Sequence, residues 1–491
     1  MLTGVSLIDR SRFWKDDLLR SLNSEPRTSI LLISLFLKIL GSAFAAVTLI
    51  VKSPAMGIAS AVVCLVWFGV LLLAALPSTD RLFSGRGEWL ARAAKVSVVT
   101  LIVAGVLEIG LIVLISCGVQ VATGDLQDLA GSLQRVGACS DAMALEHQAT
   151  GNFLDGKNPY EEANVIAAGI ECDVPSDKMT PLRTGQFATD APYPDLDKLE
   201  RVYAEARANP SVVPPEFESK YNYPAASFVL PAPLVALGIN DLRIVFLLYL
   251  IPVLGYVAWQ FRSGKIRTYF LMAVVASLEV WNSLFSGGTG LLVFPFLLLG
   301  WLLQKKNLWL SALFMGIAIA VKQIAWFLIP FYLLLVLRER GLKKALLASA
   351  VAGGVFLAFN LPYIAGNPGL WFNSVVAPMT DPLFPSNTLI IVFNYVGLIN
   401  LGSSLPYTVL EVLVFVVALA WYFFNCRRFP DTALVLAVVP FFFAWRGSWG
   451  YYFYFDIILL AAILLESREL SGKQVVPEPT TGRVSDGKRA A

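Results

Sequence analysis

The sequence predicts an all-α polytopic membrane protein, a bundle of about 12–14 transmembrane helices with one large outer loop carrying amphipathic helices. Three observations predict it. Of 491 residues, 57% are hydrophobic and only 15% charged, where a soluble chain carries roughly 25% charged residues. Apolar runs of spanning length recur from residue 29 to residue 466. Between two blocks of them lies a single long hydrophilic segment, 118–223, with 17 Asp/Glu against 8 Lys/Arg. A mean hydropathy of +0.67 agrees. Net charge is +3, too balanced for a nucleic-acid binder. Five cysteines are too few for a secreted disulfide scaffold.

Taken in order, residues 1–28 mix charges of both signs (Asp9, Arg10, Arg12, Lys15, Asp16, Asp17, Arg20, Arg27) and lack a small-residue cleavage pattern. They read as a cytoplasmic segment rather than a signal peptide. Three spans follow within 29–117, at 29–50, 55–76 and 94–117. The second block, 224–466, predicts spans at 242–260, 266–285, 288–304, 308–321, 324–338, 344–363, 405–425, 431–446 and 449–466. Stretches 224–240 and 387–402 are ambiguous. Pro224, Pro231 and Pro233 interrupt the first, removing donors and kinking any helix. Such backbone at membrane depth has to be buried in protein or line a cavity. The Pro/Gly- and charge-rich stretch 467–491 reads as a disordered cytoplasmic tail.

Basic clusters fix the expected orientation. Arg81, Arg86 and Arg92, then Arg262, Lys265 and Arg267, then Lys305 and Lys306, Arg338 to Lys344, and Arg427 and Arg428 all mark the cytoplasmic side. Both termini are then inside, and three spans put the acidic 118–223 outside. By the same parity, 224–240 is re-entrant or part of a broken span, and 387–402 does not cross.

The outer loop is too long for a connector. Helices are expected at 125–134, 140–154 and 195–207, with a turn at Asp155-Gly156-Lys157-Asn158-Pro159-Tyr160. The run from Asp141 to Tyr160, an acid just past a span followed by a helix ending in a Gly-x-Asn-Pro-Tyr turn, resembles the first outer loop of GT-C glycosyltransferases. It is most similar to their polyprenyl-phosphate-mannose-dependent, mannosyltransferase-like branch. Tyr221-x-Tyr223-Pro224, continuing to Pro231-x-Pro233-Leu234, resembles that branch's Tyr-x-Tyr-Pro-Pro lead into the membrane, with Ala225 at the second proline. Gly316 to Lys322-Gln323 resembles its Gly-to-Lys helix end. Together these cover about residues 95–340. The chain departs from the branch in two extra spans before the loop and in a longer loop, which leaves the acceptor open.

The resemblance implies a GT-C-like bundle and an inverting, metal-independent transferase that uses no cofactor. It would move a hexose, mannose or a relative, from a polyprenyl-phosphate-sugar donor to a glycolipid or polysaccharide acceptor at the outer face of the cell membrane. Asp141 falls on the catalytic base of that pattern. Transfer to a hydroxyl needs such a carboxylate, together with cations for the leaving phosphate. A lipid-linked glycan transporter and a polysaccharide polymerase or ligase are the competing readings. The chain shows no inverted repeat of the kind transporters often carry.

Each candidate residue has a plainer reading beside the functional one. Asp141 is either the base or a solvated helix N-cap. Lys322, an ammonium in an apolar run, is a donor-phosphate ligand or a snorkelling side chain. Arg446, amid Trp445, Trp449, Tyr451 and Tyr452, is a second phosphate ligand or part of an interfacial aromatic belt. Lys220 is a third phosphate candidate. Glu146, His147, Gln148, Tyr160, Tyr221, Tyr223 and Gln323 are candidate substrate contacts, and Asp381 is a binding residue or a solvated loop acid. His147 is the sole histidine, which argues against a multi-histidine metal site. Cys139 and Cys172 are compatible with a disulfide or with two free thiols. No Walker, Rossmann or His-Glu-x-x-His pattern occurs.

Overall fold

Long apolar runs flanked by charge become long helices. The computed structural model describes residues 26–51, 53–83, 85, 87–123, 139–191, 193–261, 263–387, 403–447, 449–452 and 454–473. The N-terminal segment up to residue 25, the helix expected at 125–134, stretch 388–402 and residues 474–491 of the expected tail lie outside the described residues; residues 467–473, expected to be disordered, instead continue helix Phe455–Lys473. The protein is an all-α polytopic membrane protein. Six helices are long and apolar enough to cross a bilayer: Pro26–Ala45, Ala55–Ala75, Gly87–Leu107, Leu242–Gln260, Leu342–Gly366 and Leu405–Asn425. Gly264–Ala276 and Leu278–Phe285, bent by 48° at their junction, make a seventh if counted as one broken span.

The expected count of about 12–14 is therefore not reached among the described residues. The runs at 288–304 and 308–321 form helices of 14 residues each, Gly290–Leu303 and Leu308–Val321. Helices of that length reach about 21 Å at 1.5 Å per residue, short of a ~30 Å hydrocarbon core. The run at 431–446 breaks into the short turns Pro430–Thr432, Ala433–Leu436 and Val439–Phe442. Stretch 224–240 forms two short helical pieces, Ala226–Val229 and Ala232–Ala236. They pack on helix Asp141–Leu154, so the proline-broken stretch supports the loop instead of spanning.

Two close approaches set the bundle. Helix Leu308–Val321 lies against Leu342–Gly366 at Gly316, where a Cβ would come within 2.8 Å of the Ala352 carbonyl oxygen. Helix Pro26–Val51 packs on the last helix, Phe455–Lys473. There Lys38 Nζ donates to Asp456 Oδ2 at 2.7 Å, with side chains 0% and 1% exposed. Arg27 and Glu466 pair at 3.2 Å on the same two helices, so these two helices are tied by charge as well as by packing. The loop has its own core, in which Tyr160, Tyr221 and Phe228 meet edge to face.

Breaking a buried ion pair leaves an uncompensated charge, so Lys38→Met is expected to cost about 3–5 kcal/mol of stability. Lys38→Met combined with Asp456→Leu should recover most of it, as read by denaturant unfolding in detergent micelles. A single variant as stable as wild type would contradict a structural role for the pair.

Candidate functional site

Where the loop meets the bundle a cavity of about 710 Å³ opens, within the range of small-ligand sites. Asp141, Lys322 and Arg446, far apart in sequence, all line it.

Asp141 is brought there by a helix start. Ser140 is the N-cap, its Oγ accepting from the Met143 amide at 3.3 Å. Asp141 is the first residue of the helix and is 7% exposed, so it is neither the cap nor solvated. Its Oδ1 accepts from the Ala142 amide and its Oδ2 from the Thr180 amide, each at 2.7 Å. The Thr180 side chain hydrogen-bonds the same carboxylate, so three of its four lone pairs are engaged and one is left. Burial raises this carboxyl above its ordinary value; the Thr180 and Ala142 hydrogen bonds and the charge of Arg446 oppose the rise.

The helix start is clamped to a bundle turn. Ser140 Oγ donates to the Gly287 carbonyl at 3.2 Å. Gly287 has φ +69°, and a Cβ there would fall 2.2 Å from Met143 Sδ. Two residues on, Thr289 Oγ1 accepts from Lys322 Nζ at 2.6 Å and bonds the Tyr223 hydroxyl. Lys322 ends helix Leu308–Val321 as its C-cap, with its ammonium 4.7 Å from the centre of the Tyr223 ring. It has no carboxylate within ion-pair distance among the described residues. Beneath it, Glu146 is fully buried, and neither of its carboxylate oxygens finds a hydrogen-bond partner among the described residues. Burial pushes the Glu146 carboxyl up, and Lys322 is the charge that opposes the shift.

Arg446 is held by a two-residue parallel strand pair, Ser386–Asn387 with Arg446–Gly447, and by Trp445 Nε1 donating to the Leu383 carbonyl at 2.8 Å. Its guanidinium makes no ion pair or side-chain hydrogen bond among the described residues. From these groups the wall continues over Phe327, Phe415 and Phe441.

Of the remaining candidates, Tyr221, Tyr223 and Gln323 line the cavity. Gln323 Nε2 is engaged with the carbonyls of Asn222 and Val375, so it joins two segments of the wall. Tyr160 lies outside, its hydroxyl donating to the Tyr223 carbonyl at 2.9 Å. His147 faces Glu171 at 3.8 Å, and Gln148 Oε1 accepts from the Asn164 amide at 2.8 Å. Glu146, His147 and Gln148 are not in the wall. Nor is Lys220, whose Nζ holds both Asp381 oxygens at 2.6 Å. Cys139 and Cys172 are free thiols that hydrogen-bond to each other, an interaction that lowers the Cys139 thiol and raises that of Cys172. Glu218 and Thr180 are wall residues that sequence reasoning passed over. Glu216-Phe217-Glu218 did hold a signal, since an extended run places Glu216 and Glu218 on one face, and both are buried. Among the described residues no group of three or more His, Cys, Asp or Glu is placed to hold a metal ion.

No family model matches the chain, no curated protein is significantly similar to it, and no solved structure matches it significantly.

Two outcomes follow from the geometry. A left-handed alanine costs about 1–2 kcal/mol, and Gly287→Ala also displaces Met143. It should lower the unfolding midpoint and speed amide exchange in helix Asp141–Leu154; unchanged exchange there would contradict the clamp. Glu218 is raised by burial and by the neighbouring Asp381 carboxyl, so the folded state keeps this proton to higher pH than the unfolded chain. Its contribution is full below about pH 4 and is lost as pH rises through the raised value. Glu218→Gln should therefore flatten the fall in thermal stability as pH increases from mildly acidic to mildly basic.

Proposed function

We propose that the protein is an integral-membrane glycosyltransferase of GT-C type. It moves a hexose, mannose or a related sugar, from a polyprenyl-phosphate donor to a glycolipid or polysaccharide acceptor, with inversion. One observation carries the reading. A buried carboxylate with a spare lone pair and two cations with no carboxylate at ion-pair distance among the described residues share a ligand-sized cavity, and its wall runs on into aromatic, apolar surface.

An acceptor hydroxyl attacks the anomeric carbon and forms the new C–O bond as the bond to the phosphate oxygen breaks. Asp141 takes the hydroxyl proton. Lys322 and Arg446 stabilise the phosphate as it leaves with the bonding pair. The spent carrier is the polyprenyl phosphate, whose isoprenoid chain suits the Phe327, Phe415 and Phe441 wall. Tyr223, held beneath the Lys322 ammonium, offers an aromatic face to the sugar.

Charge supports an outward-facing site. Lys305, Lys306, Arg338, Arg340 and Arg427 gather at one end of the bundle, where Arg340 donates to the carbonyls of Gln304 and Lys305 and Arg427 to that of Arg338. The positive-inside rule puts that end, and both termini, in the cytoplasm. Lys322 and Thr289 lie at the opposite ends of the same helices.

The test is reconstitution with polyprenyl-phosphate-linked radiolabelled mannose and a membrane lipid extract. Asp141→Asn should lower transfer by about 10²–10⁴-fold with the protein still folded, and Lys322→Gln should raise the donor KM. Because burial raises Asp141, the acid limb of the rate profile should lie above the ordinary carboxylate value of ~4. Undiminished transfer by Asp141→Asn would remove the base. Counterflow of free sugar with no product would favour transport.

A further inference from the structure

Beside the groups assigned above, the cavity wall holds a second acidic pair, Glu218 and Asp381. Glu218 is 4% exposed. Its Oε1 accepts from the Lys220 amide at 2.9 Å, while Oε2 accepts from no donor among the described residues. The Asp381 carboxyl lies within hydrogen-bonding reach of Glu218. Lys220, which does not line the cavity, donates through Nζ to both Asp381 oxygens at 2.6 Å.

The one ammonium of this cluster is already engaged by Asp381. The pair is therefore poorly matched to a divalent cation, which would have to displace Lys220 from the Asp381 carboxylate. It is equally poorly matched to a phosphate, because it presents acceptors. What it offers is acceptor lone pairs, the complement of the donors of neutral vicinal hydroxyls.

Its place in the wall is tied to Asp141 through a single residue. The Thr180 amide donates to Asp141 Oδ2 at 2.7 Å, and the Thr180 carbonyl accepts from the Glu218 amide at 3.1 Å. A molecule held by Glu218 therefore lies beside the carboxylate of Asp141. Glu218 is carried on extended backbone paired with Thr180, and Asp381 is fixed next to the Arg183 amide's bond to the Pro382 carbonyl at 2.7 Å. Rigid placement of this kind is what a specificity site requires.

We propose that Glu218 and Asp381 form the acceptor subsite and bind a pair of vicinal hydroxyls on a saccharide acceptor, next to the hydroxyl that Asp141 deprotonates. This rests on the transferase reading and adds to it the chemical class of the acceptor: a glycan end with an unsubstituted diol, not a lipid alcohol or a protein side chain. Lys220 acts through Asp381 as a positioning residue.

The test uses the full chain in lipid nanodiscs with two kinds of probe. Methyl α-glycosides of mannose, glucose, galactose and arabinose are titrated by saturation-transfer NMR. Tritiated undecaprenyl phosphate is titrated by a proximity assay. At least one glycoside should bind, and Glu218→Gln and Asp381→Asn should each weaken it five-fold or more while undecaprenyl phosphate binds as before. Lys322→Gln should show the reverse pattern. A deoxy glycoside lacking one hydroxyl of the diol should bind wild type as weakly as the parent binds Glu218→Gln, and lose nothing further in that variant. The subsite is overturned if no glycoside binds wild type, if Glu218→Gln binds it undiminished, or if both probes weaken together, the mark of a merely structural residue. Manganese binding by wild type that Glu218→Gln abolishes would also overturn it. Glycoside binding that depends on Glu218, with no affinity for undecaprenyl phosphate, would support the subsite and sink the donor half of the transferase reading.

Discussion

The structure depends on one docking, of the Asp141–Leu154 helix start onto the Gly287–Thr289 turn. Ser140 spends its hydroxyl twice there, accepting from the helix and donating to Gly287. Met143 occupies the space that a side chain at Gly287 would need. The same turn supplies Thr289, which anchors Lys322. A single three-residue turn thus brings an acid from the loop and a cation from the bundle to one cavity. The local rules are ordinary ones, a capped helix and a left-handed glycine.

Burying that many charges is costly unless each has a reason to stay. Lys38 and Asp456 resolve the problem by pairing, and so do Lys220 and Asp381. Glu146 resolves it only in part, lying near Lys322 without a hydrogen bond. Lys322 and Arg446 have no carboxylate at ion-pair distance among the described residues and line the open volume of the cavity.

What was legible in the sequence follows range. Six of the longer apolar runs became the six long helices, while the comparably long run at 266–285 bent into a pair. Ser140-Asp141 was legible as a helix start because capping is decided within four residues. Lys322 stood out because an ammonium in an apolar run has few bland explanations. Glu146, His147 and Gln148 show the limit of reasoning by nearness. At 100° per residue Glu146 and His147 point away from the Asp141 face, and Gln148, on that face, lies about 10 Å further along the axis. The strand pair that holds Arg446 was invisible, since two residues carry no period and their partner lies about sixty positions away in the chain. Glu218 was missed because a loop acid is read as solvated until its burial is seen. The apolar runs at 288–304 and 308–321 form helices of 14 residues each, and their length, not their apolarity, sets them apart from the six helices long enough to cross.

In the proposed transferase, Lys322 and Arg446 hold a lipid-linked phosphate beside Asp141. The most direct measurement is a cryo-electron microscopy structure of the protein in nanodiscs with undecaprenyl phosphate. Phosphate density is expected within hydrogen-bonding distance of Lys322 Nζ and the Arg446 guanidinium, with the isoprenoid chain along Phe327, Phe415 and Phe441. Phosphate density elsewhere, with this cavity empty, would contradict it.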